Sequence, residues 1–172
     1  MDAEQSDAEI RAALIAEIER AFGDVRRGNG ITLHQARVLD DYGNEQEQAE
    51  ARKSDTDTRW QSIPDSWIEN LCDTLAFLDP EGFRYYIPAF MIWALKYHDT
   101  SASFAVDAAV YILCLEDGKL RAWQLERYRL LAKPQAIAIA HFLDYCAHQA
   151  HMGNMDDAVA KEALDAHWGQ FL

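Results

Sequence analysis

Apolar residues recur every three or four positions along almost the whole chain, the period of helices with one buried face. Ile10, Leu14, Ile18 and Ala21 form the first such stripe, with Phe22 beside them. Ser6 and Glu9 have the spacing of a capping box ahead of it, and Gly23 can close the helix. A turn over residues 26–30 follows. Thr32 and Gln35 then repeat the capping box before Leu33, Ala36, Leu39 and Tyr42, and Gly43 ends that stripe. Residues 45–53 are helix formers with no apolar face beyond Ala49 and Ala51, which suits an exposed helix or a loop, and 54–58 is a polar connector. Pro64 fits a first helical position, and Trp67, Ile68, Leu71, Leu75 and Leu78 follow at helical spacing.

The densest apolar stretch is 79–95. Asp79 reads as an N-cap and Pro80 as the first helical residue, and Phe83, Tyr86, Ile87, Phe90, Met91, Ala94 and Leu95 place apolar groups nearly all round the axis. A helix of that kind belongs at the centre of the fold. Pro88 removes one backbone donor and is expected to kink or split it. Residues 104–115 are apolar and partly β-branched. Ala105, Ala108 and Ala109 favour a helix; Val110 to Leu113 alone would suit a strand, but a lone strand has no partner in this chain. Residues 120–131 are mixed, with Trp123, Leu125, Tyr128, Leu130 and Leu131 to bury. Pro134 opens a helix whose core face is Ile139, Phe142, Leu143, Cys146 and Ala150, Gly153-Asn154 breaks it, and Asp156 caps a last helix carrying Val159, Ala163, Leu164 and Trp168. The pattern predicts an all-α fold: a single compact multi-helix domain over residues 1–172 with a central, proline-split buried helix.

Composition narrows the function. With 29 acidic and 16 basic side chains the formal charge is −13. Phosphate-rich partners are bound through positive surface and counterion release, so nucleic acid is not expected as a ligand. A basic protein partner suits this charge, as does plain solubility. Cys72, Cys114 and Cys146 are odd in number, far apart and set among apolar neighbours, the usage of small hydrophobes in a reducing compartment. Residues 1–7 are acidic and lack the apolar region of a secretory signal. The longest apolar run, 87–95, is far short of a membrane span. A soluble cytoplasmic protein with no membrane partner and no cofactor is expected.

Three groups could carry chemistry. His141, Asp144 and His148, with His151 beyond, sit within about 60° of one another on a helix wheel and could offer ligands to a transition metal. The same wheel puts them opposite Ile139, Leu143 and Cys146, on the solvent side, where bare surface histidines are common. His34 and Asp41 are seven residues apart and could form an acid–base pair, with Asp40 alongside. A salt bridge from Arg37 to this carboxylate pair explains the same residues. Arg84 lies inside the central apolar segment and needs a partner: Asp79, Glu81 or Asp107 in a structural reading, a bound anion in a functional one. Asp55 and Asp57 read as a solvated acidic loop without the calcium-loop pattern. Phosphate loops, nucleophile elbows, Cys-x-x-Cys pairs and His-Glu-x-x-His are absent from the sequence.

Five segments carry a family likeness: Ile31-Thr32-Leu33-His34-Gln35-Ala36 through Leu39-Asp40-Asp41-Tyr42-Gly43, Asp57-Thr58-Arg59-Trp60-Gln61-Ser62-Ile63-Pro64, and above all Phe77 to Phe90, with looser likeness over Val106 to Tyr111 and Leu130 to Tyr145. Together they resemble a bacterial family of uncharacterised proteins, domain of unknown function 6714. Ala132-Lys133 stands where that family tends to place a capping hydroxyl before the proline, which weakens this helix start. The resemblance implies a bacterial cytosolic protein and carries over no catalytic residue. The function expected from all this is a non-enzymatic acidic interaction module, an inhibitor or immunity-type protein that masks a basic partner. The alternative is a hydrolase or metal-binding enzyme using His34, Asp40 and Asp41.

Overall fold

The structure is a computed structural model that describes residues 6–149 and 154–172. These residues form nine α-helices and three short 3-10 turns, with no strand among them. The helices are α1 (Asp7–Phe22), α2 (Leu33–Asp40), α3 (Glu45–Arg52), α4 (Asp65–Asn70), α5 (Pro80–Tyr97), α6 (Ala105–Leu113), α7 (Lys119–Tyr128), α8 (Lys133–His148) and α9 (Asp157–Ala166). The expected all-helical fold is the one observed.

The capping residues act as their spacing implies. Ser6 with Glu9 and Thr32 with Gln35 form reciprocal boxes at α1 and α2, and Asp79 and Asp156 cap α5 and α9 by accepting from Gly82 N and Val159 N. Each such cap satisfies a donor that the first turn leaves open. At α8 no hydroxyl is present; Gln135 Oε1 accepts from Ala132 N at 3.0 Å instead and holds the start of the helix. Residues 45–52 are helical and bury nothing.

Helix α5 is the hub, packed against α1, α6 and α7, while α8 packs against α1 and α9. Thirteen of its eighteen residues are buried, which makes it the axis of the core. The expected split at Pro88 does not occur: the helix runs unbroken from Pro80 to Tyr97. The missing donor and ring clash cost about 3 kcal/mol. Burying one Leu, Ile, Phe or Met side chain gains about 1.5–3 kcal/mol, and Ile87, Phe90 and Met91 flank the proline at 0% exposure. Packing therefore outweighs the local defect.

A second difference lies upstream. The single helix expected over 64–78 is α4 followed by a 3-10 turn, Cys72–Phe77, with Leu71 at φ −122° between them. Thr74 binds the Leu71 carbonyl through both its N–H (3.1 Å) and its hydroxyl (2.7 Å), which favours the tighter turn.

The start of α5 explains the sequence Asp79-Pro80-Glu81-Gly82. Asp79 Oδ1 accepts from Gly82 N (2.9 Å) and from Ile31 N (2.8 Å), and Glu81 Oε2 accepts from Asn29 N (3.1 Å). The 28–31 loop is thus clamped onto the helix start by two carboxylates. The approach is so close that a Cβ on Gly82 would lie 2.4 Å from the Ile31 carbonyl oxygen. Glycine is required by contact there, not by an unusual φ.

Candidate functional site

The Cys72–Phe77 turn, α6 and α7 enclose an open cavity of about 900 Å³. That size is typical of a binding pocket. Its lining includes Phe77, Phe104, Tyr111, Leu120 and Trp123, which are 38%, 89%, 55%, 51% and 50% exposed. These are five of the seven large exposed apolar side chains among the described residues, so one groove gathers most of the large apolar groups left in water there. Aromatic groups concentrated in this way mark a recognition surface.

The groove exists because α7 faces the wrong way for a core helix. Trp123, expected in the core, stands in the groove wall beside Leu120, and the residues that α7 buries are Gln124, Arg127 and Tyr128. Two of those are polar, and each has a structural reason to turn inward. Gln124 Oε1 accepts from Glu116 N at 2.8 Å and closes the loop between α6 and α7. Arg127 donates from Nη2 to the Ala76 carbonyl at 2.9 Å, tying α7 to the Cys72–Phe77 turn. On α6 the division is ordinary, with Ala105, Val106, Ala109, Val110 and Leu113 buried and Tyr111 facing out.

Arg127 is the unusual member of the lining. It is 3% exposed, and no carboxylate pairs with it among the described residues. Its Nε is buried without a hydrogen-bond partner. The guanidinium lies 4.0 Å from the Trp123 ring centroid and 5.8 Å from that of Phe83. Ring faces attract a cation, but they supply no acceptor for its N–H groups. Burial pulls the Arg127 pKa below its usual value. Around it the groove is acidic: Asp73, Asp107 and Glu116 line it. Asp73 pairs with Arg37 while keeping 59% of its side chain exposed. Asp107 accepts from Asp156 N at 2.8 Å, and burial raises its pKa.

Over residues 10–172 the chain matches the model of a family described as a family of unknown function, DUF6714. The chain belongs to this family. Comparison with curated proteins and with solved structures gave no match. DUF6714 membership takes in every segment whose likeness was noted, from Ile31 to Tyr145, and continues through α9. The Asp79–Gly82 clamp lies in the most distinctive of those segments.

In this DUF6714 chain the groups singled out in the sequence lie apart from the groove, and none of His34, Asp40, Asp41, Arg84, His141, Asp144 or His148 lines it. His34 faces Asp55 rather than Asp41, its Nδ1 2.8 Å from Asp55 Oδ1 and its ring edge-on to Trp67. Asp40 pairs with Arg37. Arg84 donates from Nε to Gln135 Oε1 at 3.0 Å, so its partner is a neutral amide and not the carboxylate expected. His141 Nδ1 is 2.9 Å from Glu17 on α1, while His148 Nδ1 is 3.0 Å from Asp144. His151 lies outside the described residues. Among those described, no group of three or more His, Cys, Asp or Glu side chains could hold a metal ion.

The acidic loop also differs from expectation. Asp55 and Asp57 are 4% and 8% exposed. Asp57 accepts from Tyr85 Oη (2.8 Å) and Arg27 Nη1 (3.1 Å), and Asp55 accepts from His34 N (3.2 Å). Burial, first, and the bond to Asp57 hold the Tyr85 phenol far above its usual pKa. This cluster fastens the 53–59 loop to α2 and α5, a structural task. Sequence alone hid it because short-range pattern does not show which loop carboxylates meet a distant Arg or Tyr. The one local sign of the groove was Leu120-x-x-Trp123-x-x-x-Arg127, a stripe in which an apolar pair and a cation share a helix face.

Proposed function

We propose that this protein is a non-enzymatic interaction module that binds a basic partner protein, and that the groove between α6, α7 and the Cys72–Phe77 turn receives a basic, amphipathic helical segment of that partner. The observation that carries the reading is the convergence of Phe77, Phe104, Tyr111, Leu120 and Trp123 on one acid-rimmed groove. Helix-in-groove recognition uses an apolar stripe for affinity and flanking charge for orientation. Asp73, Asp107 and Glu116 supply the charge complementary to lysine and arginine, and the chain's net −13 steers such a partner toward it. Charge complementarity to lysine and arginine supports an inhibitor or immunity-type role, in which binding masks the partner's basic surface.

The test is calorimetric titration of the protein with a synthetic leucine–lysine amphipathic helix, against a glutamate-for-lysine version of the same peptide. The basic peptide is expected to bind, more weakly at high salt. Phe104→Ala and Leu120→Ala should each weaken binding about tenfold or more, as loss of an interface anchor does. Equal binding of the acidic peptide, or binding unmoved by both substitutions, overturns the proposal. So does a stable dimer in sedimentation velocity that these substitutions dissolve, because the occupant is then a second copy of the chain.

A further inference from the structure

Arg127 lines the proposed docking groove at 3% exposure, and among the described residues no carboxylate pairs with it. Taking a cation out of water is costly unless an anion accompanies it. Among the described residues its one hydrogen bond runs from Nη2 to Ala76 O, and its buried Nε has no partner there. The Trp123 face, 4.0 Å away, stabilises the charge from one side and leaves the guanidinium edge unused. A planar fork of donors beside an aromatic face matches a carboxylate, which can accept two parallel N–H bonds. The acidic lining then has a second use: Asp73, Asp107 and Glu116 disfavour a free anion entering alone, and favour one that arrives on a basic segment.

Building on the proposed docking function, we infer that Arg127 is an anchor for the C-terminal carboxylate of the docked segment, so that the groove reads a chain end. A chain end brings backbone to such an anchor from one side only. A glutamate or aspartate reaching the same depth brings the backbone on both sides of it. The α-carboxyl also has the lowest pKa of the peptide carboxyls, about 3.5, and so stays ionised most readily when burial raises it.

Three versions of one basic amphipathic peptide decide the matter by calorimetry on the unmodified protein: a free C-terminal acid, a C-terminal amide, and an amide with one internal glutamate. The free acid should bind about tenfold or more tightly than the amide, against the preference that the acidic lining alone predicts. In Arg127→Met, which keeps the packed stem, the ratio of acid to amide affinity should fall to about one, whatever the variant does to peptide binding as a whole. The wild-type comparison stands by itself if that variant fails to fold. Amide binding as tight as acid binding overturns the chain-end inference and leaves the docking function intact. Tightest binding by the internal-glutamate peptide overturns the chain-end assignment. Failure of all three to bind removes the docking function and this inference with it.

Discussion

Replacing Gly82 by alanine sets two opposite effects against each other, and the structure decides between them. Gly82 is the third residue of α5. In a helix, alanine is favoured over glycine by about 1 kcal/mol. The added Cβ, however, would stand 2.4 Å from the Ile31 carbonyl oxygen and 2.9 Å from Asp79 Oδ1. Ordinary contact needs about 3.5 Å, so the 28–31 loop must retreat by roughly an ångström. Retreat stretches Ile31 N–H to Asp79 at 2.8 Å and Asn29 N–H to Glu81 at 3.1 Å. Hydrogen bonds to charged groups are worth about 1.5–3 kcal/mol each. Losing one fully and weakening the other gives about 3–4 kcal/mol, and subtracting the propensity gain leaves about 2–3 kcal/mol of net destabilisation. For 172 residues this corresponds to a fall in Tm of roughly 4–12 °C, at about 2–4 °C per kcal/mol. Guanidinium unfolding followed by circular dichroism, together with calorimetric melting, reads it. A Gly82→Ala protein as stable as the parent, or more so, would refute the argument that contact with the loop fixes this glycine.

Three further outcomes follow from the structure. Tyr42 is 98% exposed at φ +59°, in the left-handed position that ends α2. That conformation costs a non-glycine residue roughly 1–2 kcal/mol, partly offset by glycine's greater freedom when unfolded, so Tyr42→Gly should raise stability by about 0.5–1 kcal/mol in a melting assay. Asp57→Ala leaves Tyr85 Oη without its acceptor and Arg27 without its paired carboxylate, although Arg27 keeps its bond to the Asp55 carbonyl, and the loss should be about 3 kcal/mol, seen as a lower denaturation midpoint at unchanged slope. His98 is buried and desolvation holds its pKa below the ordinary 6.5. The neutral form is therefore the native one, and its contribution is present above about pH 6.5 and lost as pH falls through the lower folded value. Stability measured from pH 8 to pH 4.5 should decline on the acid side less steeply in His98→Gln than in the parent. An NMR titration should place the His98 midpoint below 6.5.

Periodicity and capping residues carried the helical fold, because both depend on neighbours within one turn. Ser6 with Glu9, Thr32 with Gln35, Asp79 and Asp156 can be read from spacing alone, and the structure places each at its cap. Where two local rules competed, tertiary packing chose. Pro88 stays within α5 because the side chains around it are buried on all sides, and 64–78 divides because Thr74 captures the Leu71 carbonyl.

The groove proposed for docking is the part that only three dimensions could assemble. Trp123 and Arg127 have the spacing of a helix face, but a helix face has no sign: pattern says that the two lie together, not whether they point inward or outward. Ala76 settles this by accepting from Arg127 across 51 positions of sequence. Phe77, Phe104 and Trp123 become one groove through the packing of α6 and α7 against α5. Sequence by itself determined an acidic, all-helical member of its family with a buried fifth helix. Tertiary structure alone decided which aromatic residues remain in water and which cation has no paired carboxylate among the described residues, because burial and charge pairing are properties of contacts between distant segments.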